Sequence, residues 1–173
     1  MSEYIIKQPV PEDVDGLIAM HQQSWRDTYP NVEHGISQEY VDGYIKRFSS
    51  DEGREKRLGY IHESHSNPDY YLRVAKDGDR IVGFVDARRG EIPELCGLYV
   101  DASAQGSGLA QQMAESALRW LGLDHDIKLV VVDYNQRAQS FYKKLGFNKV
   151  PGSEKFYKNE PLTVIEMVRK GDQ

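Results

Sequence analysis

A glycine turn between a strand-like run and a helix-like run is the part of the sequence best suited to bind an anion. The apolar run Leu95 to Val100 precedes Gln105-Gly106-Ser107-Gly108, and apolar residues then recur at helical spacing as far as Leu121. Glycine lets the backbone take positive φ and approach a ligand closely. The first N–H groups of a helix lack internal partners and carry partial positive charge. The turn therefore predicts a phosphate site that needs no cationic side chain.

The same residues also fit a tight strand-to-helix connection that binds nothing, and taken alone they favour neither interpretation. No Gly-Lys-Ser/Thr follows the turn, so it does not match a P-loop. Gln111 stands where a dinucleotide fingerprint has its third small residue. The turn by itself does not identify its ligand.

Charge and composition exclude some classes of protein. The chain has 22 Lys and Arg against 27 Asp and Glu, a net charge of −5, which gives no support for nucleic acid or an anionic membrane as partner. The mild acidity favours a cationic or neutral substrate. No apolar run approaches a membrane span and no signal segment is present, so a cytoplasmic location is expected.

Cysteine and histidine usage predicts neither a disulfide nor a metal site. The single Cys96 excludes an internal disulfide framework, and its place in an apolar strand predicts a buried, inert thiol. His62 and His65 have the spacing of a helical metal pair, but no third ligand is evident nearby.

Periodicity and turn signals predict one α/β domain over residues 1–173 with a mixed sheet. Asp77-Gly78 predicts a hairpin, and the short links around it predict antiparallel neighbours. A helix joins the strand at 94–100 to the next, which requires a parallel pair. Ser37 and Asn135 are candidate N-caps. The charged segment 51–57 is interpreted as a loop or frayed helix, with a short helix near 58–62. Strands are predicted at residues 4–7, 70–76, 80–88, 94–100, 128–133, 147–150 and 162–170.

Two motifs in this order resemble a known family. The strand Glu94–Val100 with the glycine turn resembles the acetyl-CoA motif of the GNAT superfamily of N-acetyltransferases, and Asn135-x-x-Ala138-x-x-Phe141-Tyr142-x-x-x-Gly146-Phe147 resembles the motif that follows it. The order of strands and helices fits over almost the full length. The resemblance implies a GNAT-like α/β fold (an α+β mixed sheet). It has about seven mostly antiparallel strands, helices on both faces and a splayed parallel strand pair.

The resemblance also implies acetyl-CoA as co-substrate and no metal. The pantetheine arm would pair with the backbone of Leu98 and Val100 in the splayed gap, and the diphosphate would lie on the N–H groups of residues 106–111. Ser103 departs from the family's usual Gln or Arg, and Ala102 from a common Pro, but backbone N–H groups carry most of the binding. The implied cofactor-binding residues are Leu98, Tyr99, Val100, Gln105, Gly106, Ser107, Gly108, Leu109, Ala110, Gln111, Asn135 and Tyr142.

Tyr142 and Glu94 are the catalytic residues that the resemblance implies. Tyr142 would donate a proton to the leaving thiolate, and the alternative is a cleft-wall residue with its hydroxyl in water. Glu94 would remove the amine proton, and by strand alternation it would share a face with Cys96 and Leu98. The alternatives are a solvent-exposed Glu94, with Asp86, Asp133 or solvent as base. A backbone N–H near Leu98 or Tyr99 would stabilise the carbonyl oxygen. Trp25 and Tyr29, with Tyr71 and Tyr99, are candidate walls of an acceptor pocket.

The predicted function is acetyl transfer from acetyl-CoA to a primary amine by direct attack in a ternary complex. The acceptor is open: a polyamine, an amino sugar, an amino acid, a peptide N-terminus or a lysine side chain, with the chain's acidity leaning towards a cationic small molecule. The other hypotheses are a catalytically silent acyl-CoA-binding sensor and an α/β domain that binds another nucleotide. Nucleic acid and membranes are not expected as partners, and a homodimer is a possible arrangement.

Overall fold

A mixed β-sheet forms the centre of the protein. The computed structural model describes residues 4–158 and 160–172. Its strands are β1 (Ile5–Lys7), β2 (Tyr70–Asp77), β3 (Arg80–Arg88), β4 (Glu94–Val100), β5 (Ile127–Val132), β6 (Phe147–Lys149), β7 (Lys155–Phe156) and β8 (Thr163–Arg169). In these residues the order is β1-β2-β3-β4-β5-β8-β6, with β7 paired to β8. The β4–β5 pair is parallel and the others are antiparallel. The predicted mixed sheet is confirmed, with β7 as an added short strand.

Helices cover both faces of the sheet, as expected. They are α1 (Val14–Thr28), α2 (Gln38–Ile45), α3 (Asp51–Ser66), α4 (Leu109–Leu121) and α5 (Gln136–Lys144). The predicted caps are present, since Ser37 accepts from the N–H of Tyr40 and Asn135 from that of Ala138. In the described part of the chain, none of the helices combines the length and the apolar character needed to span a bilayer.

Helix α3 corrects the interpretation of segment 51–57. The charged residues are the first half of a 16-residue helix rather than a loop. Ser50 caps it by accepting from the N–H of Gly53 at 3.1 Å, and Asp51 and Glu52 occupy the first turn, where acidic side chains are favoured. Ile61 and Ser64 are its buried residues. With so narrow an apolar face, its sequence lacks the periodicity that identifies a helix.

Three apolar clusters hold the layers together. One packs α4 against the sheet, and a second packs α1 and α3 against the opposite face of β2 and β3. A third, here called the bridging cluster, joins α1 and α2 to the ends of β5 and β8. Its buried members are Trp25, Tyr29, Ile36, Val41, Ile45, Val132, Leu162 and Val164.

Strands β4 and β5 are joined only at one end. Within residues 4–158 and 160–172, their single register pair is Glu94 with Lys128, and the N–H of Lys128 donates to the carbonyl of Pro93 at 2.9 Å. Beyond this point the ladder stops, although β4 continues to Val100 and β5 to Val132. The predicted splayed parallel pair is therefore confirmed, and the gap leaves backbone groups of both strands without a neighbouring strand.

Candidate active site

The gap between β4 and β5 opens into a cleft of about 660 Å³. The end of α1, the start of α5 and the segment 155–158 complete its walls. The predicted site residues on these walls are Trp25, Tyr29, Glu94, Leu98, Tyr99, Val100, Gln105, Ala110, Asn135 and Tyr142. The remaining predicted residues, Gly106, Ser107, Gly108, Leu109 and Gln111, lie in or beside the turn between Gln105 and α4. The structure thus gathers the predicted residues around one cleft.

The backbone of β4 presents hydrogen-bonding groups to this gap. The N–H of Asp101 donates to the carbonyl of Val82 on β3 at 2.8 Å. Because backbone groups alternate sides along a strand, Tyr99 also faces β3, whereas Leu98 and Val100 face the gap. A linear ligand with amide groups can therefore extend the sheet at Leu98 and Val100. Of the two predicted oxyanion donors, the geometry favours the N–H of Leu98.

The glycine turn presents open amides at the start of α4. Gly106 and Gly108 have φ values of 78° and 85°, a left-handed conformation that glycine adopts without strain. Gly108 is the N-cap and supplies no side chain, and the first intrahelical bond runs from the N–H of Gln112 to Gly108 at 3.0 Å. The N–H groups of Ala110 and Gln111 precede that bond, so they have no intrahelical acceptor. This geometry fits the diphosphate of acetyl-CoA.

The segment before the glycine turn is hydrogen-bonded at Ser103, the position that departs from the family pattern. Asp101 accepts from the backbone N–H of Ser103 at 2.9 Å, and the Arg80 guanidinium donates to the Ser103 hydroxyl at 2.9 Å. At the cleft mouth, Arg137 donates to the side-chain oxygen of Gln105 at 2.7 Å. The sequence analysis did not predict Arg137 as a cleft residue. Its position two residues after the Asn135 cap, in the first turn of α5, could have indicated this.

Tyr142 lies on the cleft wall with its ring half-buried. The ring contacts Phe147 edge-on, with centroids 6.0 Å apart. Burial, together with the neighbouring Tyr99 and Asp86, raises the pKa of the Tyr142 phenol well above its usual value. The hydroxyl therefore keeps its proton at neutral pH and can donate a hydrogen bond into the cleft.

A second cavity of about 560 Å³, here called the acceptor-side pocket, lies against β3, α1 and α3. Its walls include aromatic side chains of His21, Phe48, Tyr60 and Phe84. The two cavities share wall residues on α1, on β4 and in the chain before β8: Trp25, Cys96, Gly97, Tyr99, Tyr157 and Lys158. The two cavities therefore adjoin each other at these residues.

The predicted aromatic walls are distributed unevenly between these cavities. Trp25 and Tyr99 line both cavities. Tyr29 lines the cleft but not the second cavity, and its hydroxyl lies 3.4 Å from that of Tyr99. Tyr71 lines neither cavity, so its prediction is wrong. It is buried against α4, where its hydroxyl lies 2.7 Å from Oγ of Ser116.

A bulge in β4 determines which side chains meet at this junction. Asp86 pairs with Gly97 and Ala87 with Leu95, which leaves Cys96 as the extra residue. Leu95 and Leu98 consequently both pack in the apolar cluster that joins α4 to the sheet. The expectation that Glu94 and Leu98 share a face is therefore wrong, because simple alternation does not continue through a bulge.

Asp86 lies on the wall of the acceptor-side pocket beside the bulge. Desolvation raises the pKa of its carboxyl to about 6, although the positive charges of Arg57 and Arg88 act against that rise. At neutral pH the carboxyl is ionised and retains a useful affinity for a proton. Gly97 makes this placement possible, since a Cβ there would lie 2.6 Å from Oδ1 of Asp86.

Glu94 and Cys96 occupy less prominent places. Oε2 of Glu94 lies 3.4 Å from Nζ of Lys128, at the end where the two strands are still paired. Cys96 is exposed, so the prediction of a buried thiol is wrong. Desolvation by the surrounding side chains, followed by the negative charges of Asp86 and Glu94, nevertheless raises the pKa of its thiol to about 12. Among the described residues no group of three or more His, Cys, Asp or Glu side chains is arranged to hold a metal.

Comparison with known proteins decides the family. The family model described as an acetyltransferase (GNAT) domain matches residues 35–169, which is more than half of the chain. The chain belongs to the GNAT acetyltransferase family. This membership supports acyltransferase activity in general. A search among curated proteins finds no match to this GNAT chain.

Solved structures share the fold over nearly the whole chain. The PaiA N-acetyltransferase of Thermoplasma acidophilum, solved in complex with coenzyme A, is 25% identical, with 97% of this chain and 99% of that chain covered and a TM-score of 0.77. A GNAT family acetyltransferase of Streptococcus pneumoniae is 19% identical, with coverages of 98% and 100% and a TM-score of 0.72. YncA of Salmonella typhimurium, solved with its cofactor acetyl-CoA, is 15% identical, with coverages of 99% and 96% and a TM-score of 0.69.

Proposed function

We propose that this GNAT protein transfers the acetyl group of acetyl-CoA to the primary amine of a small acceptor by direct attack. One observation carries the proposal: a cleft between splayed strands adjoins a separate pocket, and Cys96 and Gly97 are among the residues that line both. Two reactants held in the two cavities would meet without a covalent enzyme intermediate. The coenzyme A and acetyl-CoA in two solved neighbours support the assignment of the cleft.

The chain's own residues account for binding of the co-substrate. Acetyl-CoA supplies an acetyl group that is activated as a thioester. Leu98 and Val100 would hold the pantetheine amides, and the N–H groups of Ala110 and Gln111 would bind the diphosphate. The N–H of Leu98 would stabilise the negative charge that develops on the carbonyl oxygen during attack.

Proton movements assign roles to two side chains. As the acceptor nitrogen forms its bond to the acetyl carbon, the carbon–sulfur bond breaks and the amine proton passes to Asp86. The departing thiolate has a thiol pKa of about 8.5 in water, far below that of Tyr142. Full transfer of the phenolic proton is therefore unfavourable. Tyr142 instead stabilises the thiolate by donating a hydrogen bond, and the thiolate is protonated by solvent.

Asp86 is a better placed base than Glu94. Asp86 is on the wall of the pocket that would hold the amine, whereas Glu94 contacts Lys128 at the closed end of the cleft. The sequence placed Glu94 first because of its family position, with Asp86 among the alternatives. Glu94 stays a candidate, and Glu94→Gln is the variant to compare with Asp86→Asn.

Turnover over a panel of amines tests the proposal. Thiol release from acetyl-CoA is followed in the presence of each amine, and mass spectrometry detects the acetylated product. Tight acetyl-CoA binding without product from any amine would instead support the sensor hypothesis. Greater thermal stabilisation by ATP or NAD than by acetyl-CoA would support a different nucleotide. The cytoplasmic location and the homodimer stay predictions.

Replacing Gly97 is expected to impair turnover through Asp86. In Gly97→Ala the added methyl would lie 2.6 Å from Oδ1 of Asp86 and 3.4 Å from the Tyr99 ring, so the carboxylate must move. A displacement of about 1 Å lowers kcat by about 100-fold when the displaced group acts in the reaction. Steady-state kinetics measure kcat, and titration checks that acetyl-CoA still binds.

Gly90→Ala is the matched control, because a Cβ at Gly90 has no neighbour within 4 Å and its φ is not positive. Wild-type kcat in Gly97→Ala would contradict the role given to Asp86.

A further inference from the structure

The acceptor-side pocket has a charge opposite to that of the whole chain. The chain carries a net charge of −5. The basic residues on the pocket wall are Arg47, Lys56, Arg57, Arg88 and Lys158, and the acidic ones are Glu52 and Asp86. Because a cleft concentrates the field of its own walls, these side chains decide which ligand charge is favoured.

Two of the arginines are already engaged by acidic side chains. Arg88 makes a bidentate pair with Glu63, with distances of 2.8 and 3.0 Å. Arg47 lies 3.4 Å from Oε1 of Glu160 and stacks 3.4 Å above the Tyr44 ring. These contacts offset much of their charge, so neither arginine accounts for an anionic ligand.

Arg57 is engaged differently. It is half-buried and makes no direct salt bridge with any of the residues that the structure describes, although the charges of Arg57 and Asp86 act on each other. Its Nη2 lies 2.8 Å from Nδ1 of His21, while the indole N–H of Trp25 donates to Nε2 of the same ring at 3.0 Å. Both neighbours of the imidazole are thus donors only.

His21 cannot accept from both. Burial, and secondly the charge of Arg57, holds the pKa of His21 well below its usual value, so the ring is neutral. A neutral imidazole has one lone pair and one N–H, and therefore satisfies only one of the two donors. A guanidinium has five N–H groups in a planar fork, and the His21 ring is the only hydrogen-bond contact of the Arg57 side chain among the described residues. Such a group binds carboxylate or phosphate with two parallel hydrogen bonds.

We propose that the acceptor is a small amine that also carries an anionic group, a carboxylate or a phosphate, which pairs with Arg57. This inference rests on the proposed acetyl transfer. Arg57 and Asp86 both line the pocket, so the anionic group lies towards α3 and the amine towards Asp86 and Gly97. The rings of Phe48, Tyr60 and Phe84 would contact the rest of the molecule. An amino acid or amino phosphate fits this pattern, and a polyamine does not.

Pairs of acceptors with and without the anionic group, each compared at equal concentration of the free amine, test this on the wild-type protein. Leucine and phenylalanine are compared with their primary amides, phosphoethanolamine with ethanolamine, and spermidine represents the polyamines. The kcat/KM of the anionic member is expected to exceed that of its neutral partner at least about 10-fold, the value of one charge-assisted hydrogen bond. The amino acid and phosphate pairs show which anion is preferred. Equal values within each pair, or a preference for spermidine, would overturn the inference.

Arg57→Gln tests the residue. The KM of the preferred anionic acceptor is expected to rise about 10- to 100-fold, because a charged partner is lost. The KM of its neutral partner and of acetyl-CoA should not change. Arg57→Lys keeps the charge and should recover part of the loss. Arg54→Gln is the control on the same helix, since Arg54 pairs with Asp15 at 2.8 Å on the surface.

The outcomes separate the two proposals. Absence of product from every amine overturns the proposed transferase and this inference together. Turnover without preference for the anionic members overturns this inference alone, as does an unchanged KM in a folded Arg57→Gln. If that variant does not fold, the wild-type ratios still decide.

Discussion

Asp86→Asn is expected to lower kcat/KM for the acceptor by about 100- to 10,000-fold, the usual contribution of a positioned base. The amide keeps the shape of the carboxyl group but cannot take the amine proton. Binding of acetyl-CoA should stay close to wild type, because its cleft is formed by other residues. Initial rates at varied acceptor concentration and calorimetric titration with acetyl-CoA measure the two effects.

The pH dependence identifies the base. Because only the free amine has a lone pair, kcat/KM should rise with pH up to the pKa of the acceptor's own ammonium. Because the base acts when ionised, the wild-type protein should show an additional acid limb that ends at about pH 6, following the Asp86 carboxyl. Asp86→Asn should lose this limb, and Glu94→Gln should keep it. The opposite pattern would assign proton removal to Glu94.

Stability measurements separate a chemical defect from unfolding. The pKa of Asp86 is raised from 3.8 to about 6 in the folded protein, so between these values the folded state binds more protons than the unfolded state. The free energy of unfolding therefore falls as the pH rises through this window. At pH 7 the buried charge is a net cost, and Asp86→Asn should have a thermal midpoint at or above that of wild type. A lower midpoint together with lost activity would indicate disrupted packing instead.

Tyr142→Phe is expected to lower kcat by about 100- to 1,000-fold, within the range for losing one proton or hydrogen-bond donor in the transition state. The KM for acetyl-CoA should change little, because the ring that packs against Phe147 is kept. Rates under saturating concentrations of both substrates measure the effect. Tyr71→Phe is the matched control, since it removes a hydroxyl that contacts Ser116 away from both cavities.

The alternative role of Tyr142 has a distinct signature. If its ring only forms part of the wall, Tyr142→Phe keeps the wild-type kcat. A raised KM for acetyl-CoA with unchanged kcat would show loss of binding alone. Either result would remove Tyr142 from the chemistry while leaving the cleft assignment intact.

Local patterns predicted the splayed strand pair and the glycine turn beside the cleft. The glycine turn, the Asn135 cap and the strand before them are encoded by neighbouring residues, so their spacing was sufficient. The acceptor side depends on contacts across strands. Asp86 of β3 pairs with Gly97 of β4 beside the bulge at Cys96. The sequence of one strand does not show where a bulge occurs, because a bulge is defined by the pairing of two strands.

The charged stretch that begins α3 shows a second limit of sequence reasoning. Arg54 and Arg57 stand three positions apart with the same side chain, yet Arg54 pairs with Asp15 on the surface while Arg57 is half-buried against His21. Whole-chain charge gave no information on this difference. The sign of a pocket depends on which members of a charged segment point inwards, and tertiary packing decides that.

The interrupted ladder between β4 and β5 also means that the main chain does not set how far apart these strands stand. Beyond Glu94 and Lys128, side chains of the bridging cluster stand beside the gap, since its buried members Trp25, Val132 and Val164 line the cleft. The width of the gap between β4 and β5 thus depends on side-chain volume. Trimming or enlarging residues of this cluster that never touch a reactant would tune which acyl chain length the protein admits.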